Sequence, residues 1–167
     1  MTRPDISRWP CSVARALAVT GDRWTPLIMR DACYGLTRFD QFQHSLGMSR
    51  NVLTRRLNGI VEAGLLERRK YQDRPERHEY VLTDMGRDYW KVLTAMATWS
   101  DAWLAGSDGP PVVLHHDTCA HDTTARVVCA HCSAELELAD VSAAIGPGYP
   151  AKLRSAAEAT GFFRTTD

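Results

Sequence analysis

Four side chains in the last third of the chain have the types and the spacing of a metal site. The arrangement is Cys-x-His-x7-Cys-x2-Cys, formed by Cys119, His121, Cys129 and Cys132. A Cys-x2-Cys turn lets two thiolates chelate one ion, and thiolates combined with imidazole favour zinc. Because four protein ligands leave no open coordination position, the expected role of the zinc is structural. Unmetallated thiols and a redox pair are the alternatives, and the neighbouring histidines leave open which imidazole completes the site.

A second set of polar side chains has the residue types that read DNA. It lies in a predicted helix that begins after Ser49 and has its apolar residues along one face. Arginine can fork onto guanine or phosphate, asparagine can pair with adenine, and threonine can meet a thymine methyl group or a phosphate. This pattern fits a recognition helix in the major groove, although a solvated helix face has a similar composition. The outward-facing residues are Arg50, Asn51, Thr54, Arg55 and Asn58.

Cations also crowd the segment that follows this helix. Residues 65–71 and 78–83 read as two short strands, and the charged loop 72–77 contains a proline that suits a hairpin tip. A hairpin beside a recognition helix can reach the DNA backbone or the minor groove, so its charges favour DNA binding over a plain solvated surface. The basic residues in this segment are Arg68, Arg69, Lys70, Arg74 and Arg77.

The elements that must position these residues are mostly helices. Three helices are expected before the recognition helix, at 11–21, 22–35 and 37–46, with Thr37 and Asp40 in capping-box spacing. One long helix is expected after the hairpin, at 84–104. This order is that of a winged helix-turn-helix, so the predicted fold class is mainly α with a small β-hairpin.

The last predicted helix carries a broad apolar stripe. One small domain offers too little surface to cover a stripe this wide, so we expect a partner helix and a homodimer. The interface is expected to include Trp90, Leu93, Trp99 and Trp103.

Composition divides the chain into two parts. Residues 105–111 are rich in Gly, Pro and Ser and are predicted to link a domain at 8–104 to a small Cys/His-rich segment at 112–167. Residues 1–104 hold 16 Lys and Arg against 12 Asp and Glu, whereas residues 105–167 hold 4 against 8. If the protein binds a polyanion, residues 1–104, which carry the net positive charge, are therefore expected to contact it. No apolar run has the length of a signal peptide or a membrane span, so the expected location is the cytoplasm, with no membrane partner.

Several short motifs are spread over residues 8–104. They are Cys11, the Gly-Asp-Arg-Trp-Thr of 21–25, Arg38-Phe39, the Leu-Thr-Arg-Arg-Leu of 53–57, the Gly-Leu-Leu of 64–66 and the Glu-Tyr-Val-Leu-Thr-Asp-Met-Gly of 79–86. Together they resemble the HxlR family of bacterial winged-helix transcription regulators. The resemblance implies a homodimer that is joined through its first and last helices and bound to a pseudo-palindromic double-stranded DNA operator. Repression is the expected outcome for a small dimer that has no activation surface. The residues expected to contact that DNA are Arg38, Ser49, Arg50, Asn51, Thr54, Arg55, Arg68, Lys70, Arg74 and Arg77.

The same resemblance implies a role for Cys11 as a candidate redox sensor. In several members of the family a cysteine at the start of the first helix senses oxidants or electrophiles. Here the helix N-terminus and the nearby Arg8 and Arg15 would favour the reactive thiolate. The alternative is a small buried residue at the dimer contact, and Cys33 is expected to be structural. A small-molecule effector is also compatible with a regulator of this kind.

The tail resembles the one found on some regulators of this family, in which Cys-Gly-His, Cys-x2-Cys-Gly and Gly-Pro-Gly recur. The Gly-Pro-Gly stands at 146–148, whereas Ala120 and Ser133 occupy the positions of the first two glycines. Glycine adopts the backbone conformation of a tight turn more readily than Ala or Ser does, so this departure disfavours the tight turns expected after Cys119 and Cys132.

Motifs of catalysis are missing from the sequence. A zinc deaminase would combine its Cys-x2-Cys with an upstream His-x-Glu, and none occurs. A phosphate-binding Gly-rich loop, a nucleophile elbow and a His-Glu-x2-His are missing as well. The chain is therefore expected not to be an enzyme. The alternative to a DNA-binding regulator is a zinc-dependent protein-interaction module with a winged-helix docking domain.

Overall fold

A computed structural model describes residues 5–164. The helices are α1 (Ser12–Thr20), α2 (Thr25–Cys33), α3 (Phe39–Leu46), α4 (Arg50–Glu62), α5 (Asp84–Asp88), α6 (Trp90–Leu104) and α7 (Ala151–Glu158). The strands are β1 (Leu66–Asp73), β2 (Glu76–Leu82), β3 (Leu114–His116) and β4 (His121–Thr123), and they form two separate antiparallel hairpins. None of the helices within residues 5–164 combines the length and apolarity that a bilayer crossing requires.

The chain forms two compact units. The first is Val19–Ala125, and the second comprises the described residues up to Ala18 and from Arg126 onward. The segment 105–111, predicted as a linker, lies inside the first unit. The predicted domain boundaries stay predictions.

The core of the first unit joins the helices that precede the hairpin to the hairpin itself. Ile28, Met29, Phe42, Leu53 and Leu57 are completely buried at its centre. These residues come from α2, α3 and α4, so the apolar face of each helix points inward and its polar face outward. The other members of the cluster are Ala32, Met48, Ile60, Leu65, Leu66, Tyr80 and Leu93.

The predicted recognition helix begins after Ser49, as predicted, and it ends at a glycine. Ser49 occupies the N-cap position of α4 with an extended backbone, although its side chain makes no capping hydrogen bond. After Ala63 the chain leaves the helix at Gly64, whose φ of 77° lies in the left-handed region that glycine adopts without strain.

The start of α3 differs from the sequence prediction. The helix begins at Phe39. The side chain of Gln41, rather than a Thr37–Asp40 pair, accepts hydrogen bonds from the backbone N–H groups of Arg38 (2.9 Å) and Thr37 (3.1 Å). The capping box is therefore formed by Arg38 and Gln41, each one residue later in the chain than the predicted Thr37 and Asp40.

The hairpin is longer and more tightly closed than the sequence indicated. Strands β1 and β2 pair from Leu66 with Leu82 to Asp73 with Glu76, and only Arg74 and Pro75 lie between them. A single bridge joins Arg38 to Glu79, and the Tyr80 N–H donates to the Thr37 carbonyl over 2.7 Å. The segment before α3 therefore adds a short third edge to the hairpin.

The predicted helix at 84–104 is two helices. The short α5 ends at Asp88, and α6 begins at Trp90 after Tyr89. Thr83 caps α5, because its hydroxyl accepts a hydrogen bond from the Gly86 N–H.

The apolar residues of α6 face two directions. Leu93 is only 9% exposed and belongs to the core, and Trp90 packs against that core. The expectation that Leu93 lies at a dimer interface is therefore wrong, whereas the expectation for Trp90 stays a prediction. Four large side chains at helical spacing remain uncovered along α6, namely Val92, Met96, Trp99 and Trp103, and we call them the α6 stripe.

Candidate nucleic-acid interface

The polar face of α4 is exposed, as a recognition helix requires. Arg50, Asn51, Thr54 and Arg55 are all exposed in its first two turns. The Thr54 hydroxyl donates to the Arg50 carbonyl over 2.9 Å, and the Arg50 guanidinium lies 5.0 Å from the centroid of the Phe39 ring. Within residues 5–164 the Asn51 and Arg55 side chains have no hydrogen bond or ion pair, so their donors and acceptors are available to an added partner.

Two predicted contact residues flank this face. Ser49 is exposed at the N-terminus of α4, where backbone N–H groups attract phosphate. The Arg38 guanidinium lies 5.2 Å from the centroid of the Tyr71 ring, which packs the side chain against β1. Arg38 therefore lies against the hairpin rather than on α4.

The cations of the hairpin fall into two groups. Arg68 bonds to His78 over 3.0 Å, Arg69 pairs with Glu79 at 2.8 Å, and Lys70 pairs with Asp73 at 2.8 Å. Arg74 and Arg77 are exposed near the tip and have no ion pair or hydrogen bond from their side chains within residues 5–164. These two arginines are therefore the hairpin cations most available to a phosphate.

A link that sequence reasoning missed holds α4 in place. The Asp22 carboxylate accepts hydrogen bonds from the N–H groups of Trp24 (2.8 Å) and Thr25 (3.1 Å) and from the Thr25 hydroxyl. It also lies 3.4 Å from the guanidinium of Arg56 on α4. Burial works against the charged carboxylate, but these hydrogen bonds and the Arg56 charge outweigh it and lower the pKa of Asp22. Asp22 therefore caps the start of α2 and ties it to the recognition helix.

Replacing this cap is expected to cost stability in a pH-dependent way. Asp22→Ala should lower the free energy of unfolding by about 1 kcal/mol at pH 7, the usual cost of losing a cap. Because the folded-state pKa is lowered, the charge contribution is complete above the unfolded-state pKa of about 4 and is lost as the pH falls through the folded value. Urea unfolding at pH 7 and near pH 3 measures the difference.

Two variants control this measurement. Asp22→Asn keeps most of the capping geometry but removes the charge, so its loss should be smaller and should also shrink in acid. Glu62→Ala removes an exposed carboxylate of α4, the helix that Asp22 contacts through Arg56. It should change the free energy of unfolding by less than about 0.5 kcal/mol. A loss for Asp22→Ala that stays constant from pH 7 to pH 3 would show that the carboxylate charge plays no part.

The tail contains two tight turns of the same construction. In the first unit, the N–H groups of Cys119 (3.2 Å) and Ala120 (2.9 Å) donate to the His116 carbonyl. In the second unit, the Ser133 N–H donates to the Cys129 carbonyl over 2.9 Å. Ala120 and Ser133 have φ of 55° and 60°, so both adopt the left-handed conformation that glycine would supply. The substitution of these glycines has therefore not removed either turn.

In each turn, side-chain atoms that could ligate a metal lie close to neighbouring polar groups. His116 Nδ1 is 3.1 Å from Cys119 Sγ, whereas His121 Nδ1 is 2.5 Å from the Cys119 carbonyl oxygen. Hydrogen bonds from the backbone N–H of Cys132, the N–H of His131 and the Cys132 side chain lower the pKa of Cys129. Within residues 5–164 no three His, Cys, Asp or Glu side chains are grouped for a metal ion, so the zinc site stays a prediction.

The remaining two cysteines differ in environment. Cys11 is exposed and directly precedes α1, where its carbonyl accepts from the Arg15 N–H over 3.1 Å. The Arg15 side chain donates to Ser12 instead of facing the thiol. Cys33 packs against the core, and its burial raises the pKa of its thiol, as expected of a structural cysteine.

Comparison with known proteins agrees with this arrangement. The model of the HxlR-like helix-turn-helix family matches residues 19–108. An uncharacterised HTH-type transcriptional regulator of Mycobacterium tuberculosis, Rv3095, is 44% identical over 144 residues, which cover 86% of this chain and 91% of that protein.

Two solved structures are similar as well. The crystal structure of the candidate transcription factor PA1607 superposes with a TM-score of 0.77 at 33% identity, covering 86% of this chain and all (100%) of that chain. The redox regulator HypR in its oxidised form superposes with a TM-score of 0.51 at 27% identity, covering 55% of this chain and 96% of that one. The chain therefore belongs to the HxlR-like helix-turn-helix family and is a DNA-binding transcriptional regulator with a winged-helix fold, not an enzyme.

Proposed function

We propose that the chain is a repressor that binds a pseudo-palindromic operator as a homodimer, with α4 in the major groove and the β1–β2 hairpin against the backbone. The observation that carries the proposal is the pairing of an exposed polar face on α4 with two unengaged arginines at the hairpin tip. Base edges are read by side chains in the groove, whereas phosphates fix the position of the protein.

The contacts divide into two kinds. We propose that Arg50, Asn51 and Arg55 discriminate bases, that Arg74 and Arg77 hold phosphates, and that Thr54 and Ser49 support the first turn of α4. Arg38, Arg68 and Lys70 already have partners in the free protein, and each must exchange a contact to reach DNA. Their contribution to affinity is therefore expected to be smaller than that of Arg74 and Arg77.

This division predicts different behaviour for two variants. Asn51→Ala should cost roughly 1 to 3 kcal/mol of binding free energy, mainly at one base position of the operator. Arg74→Ala should weaken binding to all duplexes and reduce the slope of log affinity against log salt by about one. Fluorescence anisotropy with operator and random duplexes at several salt concentrations measures both effects.

The control is Lys91→Ala, which removes a cation of α6 that is paired with Asp88. It should leave both the affinity and the salt slope unchanged. Equal losses on operator and random duplex for Asn51→Ala and Arg74→Ala would contradict the division of labour. No salt-dependent duplex binding by the wild type would favour a protein-docking role instead.

The tail is proposed to bind one structural zinc through Cys119, Cys129, Cys132 and one histidine. The proposal rests on the chemistry and the sequence spacing of these donors. The sequence pattern points to His121, but the geometry of the turn favours His116. Its Nδ1 lies 3.1 Å from the Cys119 sulfur, which allows both atoms to reach one ion at about 2.0 to 2.3 Å.

Metal content tests this proposal. Elemental analysis of protein purified without added metal is expected to give about one zinc per chain, and the double variant Cys129→Ser, Cys132→Ser is expected to lose it. Operator affinity should stay within a few-fold, because the tail is acidic and is not expected to lie on phosphates.

Two single variants identify the histidine. His116→Ala should lose the metal while His121→Ala keeps it, and the reverse result would restore His121 as the ligand. Wild-type protein without zinc would contradict the site altogether. Loss of DNA binding together with the metal would contradict the separate roles of the two parts.

We also propose that Cys11 responds to thiol-reactive compounds. The thiol is exposed at the start of α1, and the similar protein HypR is named a redox regulator. Exposure and a position at a helix N-terminus both favour reaction of a thiolate. If Cys11→Ser releases operator DNA on oxidation as readily as the wild type does, the sensor lies elsewhere.

A further inference from the structure

A cleft of about 440 Å³ lies inside the first unit, between α2, α6 and the chain that follows α6. Its size is that of sites for small organic molecules. Residues of α2 and α6 form its floor, and two segments of the tail, 110–114 and 123–124, form the opposite wall. That wall lies outside residues 19–108, so the family match does not account for the cleft.

The walls are mainly apolar. Tyr34 and Trp90 contribute aromatic rings that contact each other edge to face, with centroids 5.9 Å apart. Aliphatic side chains complete the lining, among them Leu27, Met96 and Val112. A ligand of this cleft must therefore present a substantial apolar or aromatic body.

Several polar groups at the cleft are already bonded. The Arg30 guanidinium binds the buried carboxylate of Asp31 through two nitrogens, at 2.6 Å and 2.9 Å. The Thr94 hydroxyl donates to the Trp90 carbonyl, and the Thr98 hydroxyl accepts from the Ala125 N–H. The hydroxyls of Ser100 and Thr124 have no side-chain hydrogen bond within residues 5–164 and are neutral groups that could bind a ligand.

Asp101 is the charged residue of the lining that has no partner. It lines the cleft, is half-buried, and has no ion pair or hydrogen bond from its side chain within residues 5–164. Because the Arg30 charge is matched by Asp31, the cleft carries one uncompensated negative charge on mostly apolar walls. Tyr34 and Trp90 add ring faces, which attract cations as well.

We propose that this cleft binds small lipophilic cations, with Asp101 facing the charge and the apolar walls holding the body of the molecule. This inference identifies a site and a chemical class for the effector of the proposed regulator, and in that respect it rests on the proposed function. A ligand here would contact both α2, which packs against α3, and α6, which carries the uncovered α6 stripe. If the ligand and DNA prefer different arrangements of these helices, binding of the ligand lowers the affinity for DNA; if they prefer the same arrangement, it raises that affinity.

Two ions of nearly the same shape and opposite charge test the proposal. Tetraphenylphosphonium should bind the free protein at least about 10-fold more tightly than tetraphenylborate, as measured by equilibrium dialysis without DNA. Asp101→Asn should remove most of this preference by weakening only the binding of the cation. Asp108→Asn makes the same change in net charge at an exposed residue outside the cleft, and it should behave like the wild type.

A second variant separates the cleft from a diffuse charge effect. Ala97→Phe fills part of the cleft from α6 and should weaken both ions, with thermal unfolding confirming that the protein is folded. Equal binding of the two ions by the wild type, or an unchanged preference in Asp101→Asn, would overturn the proposal. Because dialysis contains no DNA, this failure would not depend on whether the protein binds an operator.

Discussion

Gly86→Ala is expected to lower the free energy of unfolding by about 3 kcal/mol, the upper range for overpacking a buried position. Gly86 is buried in α5. A Cβ atom added there would lie 2.0 Å from the Leu65 carbonyl oxygen and 3.2 Å from Leu82 Cδ2. The first of these distances is far inside van der Waals contact, so either α5 or the backbone at Leu65 must move.

Moving either α5 or the backbone at Leu65 would break hydrogen bonds. The Leu65 carbonyl accepts hydrogen bonds from the Thr83 N–H and the Thr83 hydroxyl, both at 3.2 Å. The Gly86 N–H in turn donates to that hydroxyl over 3.0 Å. Displacing α5 would therefore break the cap of the helix as well as the contact between α5 and the start of β1.

Gly59→Ala is the matched control. Gly59 is also helical, but it is exposed on α4, and an added Cβ would meet nothing within 4 Å. This change should stabilise the protein by roughly 0.5 to 1 kcal/mol through the lower entropy of the unfolded chain. Urea unfolding of the two variants gives both values, and losses of similar size would show that the junction at Leu65 tolerates a Cβ.

The sequence predicted α4 well because its signals are local. The apolar spacing, the N-cap position of Ser49 and the exit at Gly64 all lie within one stretch, and together they determined which side chains point outward. The exposure of Arg50, Asn51 and Arg55 followed from that periodicity without any knowledge of the partners of α4.

Features that depend on distant residues could not be predicted in this way. The Asp22–Arg56 pair joins positions on either side of α3, and the bridge from Arg38 to Glu79 joins residues on either side of α3 and α4. The break at Tyr89 has no Pro or Gly at its position in the sequence to mark it. Only the packed fold reveals these contacts.

The same limit affected the predicted dimer interface. Periodicity gave a single wide stripe on the last helix, but it could not divide residues that face the protein's own core from those that face outward. Leu93 is in the core, so Leu93→Asp would unfold the domain whether or not the protein dimerises. A test of the interface therefore requires a residue that the domain leaves exposed.

Trp99→Asp is expected to convert the proposed homodimer into a folded monomer. Trp99 is 59% exposed at the centre of the α6 stripe, so the change removes little packing from the domain itself. In a dimer the same change would bury a carboxylate against apolar side chains, at a cost of several kcal/mol per interface. Sedimentation at micromolar concentration should show half the wild-type mass, and circular dichroism should show an unchanged helix content.

Loss of the dimer should then appear in DNA binding. A dimer engages two half-sites at once, which commonly raises affinity by about 10² to 10⁴ over one half-site. Trp99→Asp should lose a factor of this size on a two-site operator but bind a single half-site as the wild type does. Leu138→Asp, which places the same charge at an apolar residue of the second unit that is 94% exposed, controls for nonspecific effects and should remain dimeric. A wild type that sediments as a monomer, or a Trp99→Asp variant that stays dimeric, would contradict the proposed role of the α6 stripe.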